Sequence, residues 1–306
     1  SIMKSYIKIL TKAKNLHLSG NLDDAIKIYE NLVAKNKKDH QIYFFLGTAH
    51  LQKKNYEKTV FYIENAIRIK PDIPNYYNNI GIALSNLSNS QKAIENYLKA
   101  LKLNEKFLDA NINLAIEYKK LLKIDEAIKY FKISLKISPN NSIIYNNIGN
   151  LFKNLGKNDD AMDFYNKAIE LNKNNAETYN NKGELLVSLK KFDEAIKMYQ
   201  EVLKINPNFP YVHGKLLHCK MHICDWQSYK EDREKIIFGI KNNLTIIEPF
   251  PLLSLLDDLE LQKRNAVLYS KSKFKVDKKH TKIKTIKNNE KIKIGYYGAE
   301  FYNHPV

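Results

Sequence analysis

Residues 74–107 read PNYYNNIGIALSNLSNSQKAIENYLKALKLNEKF. The same skeleton returns on both sides of this stretch at a spacing of 34 residues. Gly81 has counterparts at Gly47, Ala115, Gly149 and Gly183. Twelve residues beyond each stands a second small side chain: Thr59, Ala93, Ala127, Ala161 and Ala195. Ala13 and Ala25 bring an earlier copy into the same phase. A large residue follows four positions on, at Tyr29, Ile63, Tyr97, Phe131, Tyr165 and Tyr199. Pro71, Pro139 and Pro207 close three of the copies. No insertion breaks the phase from Tyr6 to Phe209, which makes six copies of one unit.

The unit predicts two antiparallel helices, A and B. The small residue in A allows B to cross closely, the alanine in B does the same from the other side, and the aromatic fills the space between neighbouring units. Asn21, Asn55, Gly156-Lys157-Asn158 and Lys191-Phe192-Asp193 supply the turn between A and B. This skeleton resembles the tetratricopeptide repeat. The resemblance implies an all-α solenoid wound as a right-handed superhelix, with helix A lining its concave face. One helix pair cannot bury its apolar side alone, so stacking must supply the stability. The concave surface suits a protein or an extended peptide as partner.

The 306 residues are 44% hydrophobic and 27% charged, with a net charge of +17. This is the composition of a foldable, soluble chain. No apolar run approaches ~18 residues, and no leader peptide is visible, so we expect no membrane association. Two cysteines, Cys219 and Cys224, are too few for a disulfide framework and point to the cytoplasm. The chain starts at Ser1 and stops after Pro305-Val306, and both ends read as cut. Ten lysines fall between Lys271 and Lys293, against Asp277 and Glu290. A nucleic-acid arm would carry stacking aromatics and arginine among them. This stretch has few aromatics and no arginine, so it reads as a solvated connector.

Asparagine recurs in helix A at Asn79, Asn113, Asn147 and Asn181. Stacking places these four amides in a row along the inner surface, where each could bond a peptide backbone through donor and acceptor together. They are the candidate peptide-binding residues. The same amides could instead bond between neighbouring repeats. Thr11, Phe45 and Lys215 occupy the equivalent positions at the two ends, so a contact of this kind centres on the four middle repeats.

After Phe209 the repeat dissolves. Pro210 is expected to open one more helix, to about residue 223, and Asp225 to cap another running from Trp226 to about Lys241. Glu248-Pro249-Phe250-Pro251 and Leu252 to Asp258 lead into a helix ending near Lys273. Residues 291–306 read as a short strand and a glycine-containing turn. Three segments here resemble the protein O-linked N-acetylglucosamine transferases and their bacterial relatives. The first runs from Phe209-Pro210 through His218-Cys219 to Cys224-Asp225-Trp226. The second joins Pro249-Phe250 to Leu252-Leu253 and Asp257-Asp258. The third is Gly295-Tyr296, Phe301 and Asn303-His304-Pro305.

The resemblance implies a division into repeats (6–209), capping helices (210–241), a helical linker with the lysine-rich connector (242–290) and the truncated start of a catalytic region (291–306). It also implies that the repeats recognise an acceptor protein. The intact parent would transfer a sugar from a UDP-sugar donor to Ser or Thr hydroxyls, with His304 as its catalytic histidine. Glu300 stands where the family usually has Asp, and Gly298 and Ala299 where it often has serines. This chain by itself is expected to need no cofactor and to catalyse nothing, because the residues that would bind UDP are missing.

His213, His218, Cys219, His222 and Cys224 cluster in sequence, but Cys219 projects from a different side of the helix than His218. We read them as buried packing residues and expect no metal. Trp226, the sole tryptophan, reads as a core plug between the last repeat and the next helix.

Overall fold

The structure, a computed structural model, describes residues 2–274, and over them it is all-helical. Six helix pairs follow one another: α1 (Ile2–Leu18) with α2 (Leu22–Lys35), α3 (His40–Gln52) with α4 (Tyr56–Ile69), α5 (Pro74–Asn86) with α6 (Ser90–Leu103), α7 (Leu108–Lys120) with α8 (Ile124–Ile137), α9 (Ser142–Asn154) with α10 (Asn158–Leu171), and α11 (Ala176–Ser188) with α12 (Phe192–Ile205). Then come α13 (Val212–His222), α14 (Tyr229–Lys241), α15 (Pro249–Leu253) and α16 (Leu259–Lys273). The strand expected within 291–306, and His304 with it, lies outside the described residues.

The small residues do what their spacing implied. A Cβ on Gly81 would lie 2.4 Å from Tyr97 Cε1, and one on Gly183 2.7 Å from Tyr199 Cε1. Each aromatic therefore fills a notch in its own repeat, which the sequence reading did not assign to it. Its other side joins the next repeat: Tyr97 packs in one cluster with Ala110 and Leu114 of α7, and Tyr199 with Val212 and Leu216 of α13. A single ring thus ties the hairpin together and glues it to its neighbour.

Each helix A meets the preceding helix B through three positions. They are Ile42, Leu46 and Ala49 in α3, and Ile144, Ile148 and Leu151 in α9, all buried. The same positions in α1 hold Lys8, Lys12 and Asn15, all exposed, so its outer face is polar.

A left-handed backbone residue ends helix A in every repeat. Gly20, Lys54, Ser88, Leu122, Gly156 and Lys190 all have positive φ, between 57° and 83°. They stand 34 residues apart. The residue after each closes the turn, as Asn89 N–H donating to the Leu84 carbonyl at 2.9 Å and Lys123 N–H to that of Tyr118 at 2.9 Å. The series continues to Cys224, with φ 57°. The turn thus recurs once beyond Phe209, between α13 and α14, where the small-residue signature is lost.

Several details at this end correct the sequence reading. Pro210 does not open α13, because Tyr211 is left-handed (φ 65°) and the helix starts at Val212. Asp225 does not cap α14. Its carboxylate accepts from Gln227 N–H at 3.2 Å in a local turn, and the helix begins at Tyr229. Trp226 is no plug: it is 52% exposed and touches Tyr229 edge-on. The core at this end is Leu217, Ile236, Ile240, Ile246, Ile247 and Leu252. Residues 244–247 cross α13 as a strap, held by Tyr211 N–H to the Thr245 carbonyl (2.7 Å) and Gly214 N–H to that of Ile246 (3.1 Å). Gly214 and Gly239 leave the room that Ile247 and Ile246 fill. No helix among the described residues is long and apolar enough to cross a membrane.

Candidate binding groove

From α3 to α11, consecutive odd-numbered helices touch, whereas consecutive even-numbered helices make no sustained contact. In a curved stack the closer-spaced elements lie on the inside. The odd helices therefore line the concave face, and side-chain bonds between repeats run along it.

The four candidate asparagines sit on that face, but not in four equal roles. Asn113 Nδ2 donates to Asn78 Oδ1 at 3.0 Å, and Asn181 Nδ2 to Asn146 Oδ1 at 3.0 Å. Asn78 and Asn146 are 4% and 3% exposed, so these are buried ties from one repeat to the next. Lys215, which replaces asparagine at the following station, donates to Asn180 Oδ1 at 3.1 Å in the same manner. Asn147 Nδ2 turns back to the Ile143 carbonyl of its own helix at 3.0 Å. The residue that would receive it in the preceding repeat is Ile112, which has no acceptor on its side chain. Asn79 is met in the same way by Phe44, and its Oδ1 faces only Asn78 Nδ2, at 3.4 Å. The sequence analysis missed Asn78, Asn146 and Asn180. Their signal was the doublet Asn-Asn at 78–79, 146–147 and 180–181: the first amide receives the tie from the next repeat.

The ties use amide nitrogens, leaving oxygens free. Oδ1 of Asn113, Asn147 and Asn181 accepts no hydrogen bond among the described residues. The row presents acceptors, which suit the backbone N–H groups of an extended chain.

Charge runs along the same face. Glu184 accepts from Lys215 at 2.6 Å and pairs with Lys153 at 3.2 Å, so one carboxylate spans three repeats. Burial works to raise its pKa, but the two ammonium groups outweigh it and hold the carboxyl below its usual range. Glu117, 1% exposed, accepts from Ser85 Oγ at 2.6 Å and pairs with Lys120 at 3.1 Å. Burial is again outweighed, here by the Ser85 and Ser90 hydroxyls and Lys120, and the group stays ionised. Half-buried Lys119 makes no hydrogen bond or ion pair among the described residues.

The histidine and cysteine cluster is not a set of buried packing residues. Cys219 is buried, but His218 and His222 are exposed, their Nε2 atoms 3.1 Å apart, with His222 stacked on Phe192. His218 touches the edge of the groove beside Lys215 and Glu184.

Tetratricopeptide repeat models match residues 11–72, 74–107, 108–141, 142–175 and 176–209, together about two thirds of the chain. Among curated proteins none matches it. Solved structures are similar in fold. A chain of the APC/C hetero-tetramer Cut9-Hcn1 shares 17% identity at a TM-score of 0.61, covering 84% of this chain. This chain spans 48% of that one. PilF of Pseudomonas aeruginosa shares 17% identity at a TM-score of 0.57, covering 74% of this chain and 97% of its own. A thermophilic TPR protein of Thermus thermophilus shares 18% identity at a TM-score of 0.54, covering 60% and 100%. The period, the paired helices with their recurrent left-handed turn, and these matches agree: the chain belongs to the tetratricopeptide repeat family, whose members are protein-interaction modules.

Proposed function

We propose that the concave face holds an extended segment of a partner protein, and that it does so as the acceptor-recognition arm of a glycosyltransferase similar to the O-linked N-acetylglucosamine transferases. The observation that carries the first part is the row of free Oδ1 acceptors on Asn113, Asn147 and Asn181. Packed helices lie ~8–10 Å apart and an extended chain advances ~3.3 Å per residue, so roughly every third backbone N–H of the partner meets a rung. Such contacts read the backbone and tolerate many side chains, as acceptor recognition requires.

The second part rests on the resemblance of the segments around Phe209–Trp226, Pro249–Asp258 and Gly295–Pro305. The exposure of Trp226 (52%) and Phe250 (85%) supports it. Two aromatic side chains in the family-like segments are half or more exposed among the described residues, as expected where a following domain docks. The donor would be a UDP-sugar bound by the intact parent, with His304 beside it. The test is to incubate the full product of the native gene with radiolabelled UDP-N-acetylglucosamine and a Ser/Thr-rich protein acceptor. We expect label on the acceptor, lost in His304→Ala. Absence of transfer from the full product sinks this part.

A stand-alone assembly scaffold is the second reading. The fold likeness to a chain of the Cut9-Hcn1 hetero-tetramer favours it. It stands if the full product transfers no sugar while its complexes disappear when Asn79, Asn113, Asn147 and Asn181 are all changed to Ala.

A further inference from the structure

Along the groove, one polar side chain at a recurring position stands between two that each meet a carboxylate of the next repeat, and it meets none. Position 12 of helix A is occupied by Ser85 in α5, Lys119 in α7 and Lys153 in α9, at intervals of 34. Ser85 is met by Glu117 of the next repeat, 32 residues on, at 2.6 Å. Lys153 is met by Glu184, 31 residues on, at 3.2 Å. The residues standing 31 and 32 beyond Lys119 are Asn150 and Leu151. Leu151 is buried and apolar, and Asn150 Oδ1 already accepts the Tyr165 hydroxyl at 2.7 Å. Lys119 therefore faces a neighbour that offers no carboxylate. Its own helix adds none either: of the two acids of α7, Asp109 stands ten residues away in the first turn, and Glu117 is engaged with Ser85 and Lys120.

Burial is the main cause that lowers the pKa of this cation; Lys120 and Lys153 add repulsion, and the Glu177 carboxylate of α11 offsets part of it. A half-buried ammonium without a partner is a costly arrangement to keep in an empty groove. It is relieved when an anion arrives.

We propose that a side-chain carboxylate of the bound segment pairs with Lys119, so that the groove selects extended segments with an Asp or Glu at one central position. This rests on the groove reading above and deepens it: the Asn oxygens take the backbone, and Lys119 picks the side chain. The lysine lies on α7 six residues beyond Asn113, so the selected acid falls within the central rungs and not at a groove end. A chain of net charge +17 would attract an acidic partner over longer distances as well.

The test uses randomised peptides of about twelve residues, enough to span the rungs. They are displayed through their C-termini, so that no free terminal carboxylate is present, and selected on the chain and on Lys119→Met. One selected sequence is then resynthesised as a C-terminal amide with Glu, and with Gln in its place, for fluorescence anisotropy. We expect Asp or Glu enriched at one central position on the native chain and no such preference on Lys119→Met. We expect the Glu peptide to bind about five-fold tighter than the Gln peptide at low salt. That ratio should shrink as salt rises and vanish in Lys119→Met, with the Gln peptide's affinity unchanged. Lys132→Met, away from this position, should keep it. Selected peptides that bind without an acidic preference overturn the proposal and leave the groove reading intact, as does a preference that survives Lys119→Met. If no peptide is enriched over bare beads, the groove reading falls and this inference with it.

Discussion

Asn181 donates its amide to Asn146 across the boundary between two repeats at 3.0 Å, and both side chains are more than nine-tenths buried. A residue placed on the inner face by its spacing is thus a tie first and a ligand contact second. The same holds for Asn113 on Asn78, but not for Asn147, whose amide bonds within its own helix.

Asn181→Ala should therefore cost stability while Asn147→Ala should not. The first leaves the buried Asn146 oxygen without its donor, worth about 1–2 kcal/mol. The second removes a half-exposed group and should stay within about 0.5 kcal/mol. Urea unfolding of the two variants checks this. Equal losses would show that the tie contributes nothing.

Gly81→Ala should destabilise by about 1–3 kcal/mol. The added methyl would lie 2.4 Å from Cε1 and 2.7 Å from Cδ1 of Tyr97, a buried ring with no room to retreat. Trimming the ring in the double variant Gly81→Ala, Tyr97→Leu should cost less than the sum of the two single changes. Additive losses in that cycle would refute the clash.

Leu122→Gly should stabilise the protein. Leu122 is left-handed (φ 57°) and 80% exposed, at the station where Gly20 and Gly156 stand in other repeats. A leucine in this conformation is strained by about 1–2 kcal/mol, and glycine gives back part of that in unfolded-state entropy. A gain of up to about 1 kcal/mol is expected, seen as a higher melting temperature. Leu122→Ala, which keeps the Cβ, should bring none of it.

His50 makes the array acid-sensitive. It is 4% exposed, stacks on Tyr62 at 5.3 Å, and has no hydrogen-bond partner at either nitrogen. Burial, with Lys58 and Lys53 nearby, lowers its pKa from 6.5 to about 4. Between those values the unfolded chain binds a proton that the folded chain refuses. Its contribution to stability is whole above pH 6.5 and declines as the pH falls toward 4, by at most about 3 kcal/mol. His50→Phe should flatten that part of the pH profile of urea unfolding. A profile unchanged by the substitution would rule His50 out as the cause.

The repeats were legible because their signal is written in side-chain size. Gly81 and Tyr97, or Gly149 and Tyr165, report a close helix crossing at a fixed spacing, and no other part of the chain is needed to interpret it. The two helices after Phe209 were legible, but the recurrence of the repeat's turn between them was not. The turn at Cys224 has the same backbone conformation as Gly20, but a left-handed residue leaves no mark on the sequence when Lys, Ser, Leu or Cys can occupy it. Trp226 was misplaced for a related reason. A large apolar residue invites a buried assignment, while the core at this end is built from Leu217, Ile236 and Ile240 with Ile246 and Ile247 of a strap some twenty residues on, and Trp226 is not among them.

By itself the sequence determined the period, the helix pairing and the station of each groove residue, because these follow from spacing along one helix and one hairpin. What each groove residue does was decided only by the tertiary structure. Asn113 and Asn147 occupy the same station, yet one ties two repeats and the other does not, because the residue across the boundary is Asn78 in one case and Ile112 in the other. Lys153 and Lys119 differ in the same way, one facing Glu184 and the other Leu151 and an already engaged Asn150. A hydrogen bond or an ion pair belongs to two positions at once, and which two are in reach is set by the tilt of one repeat upon the next.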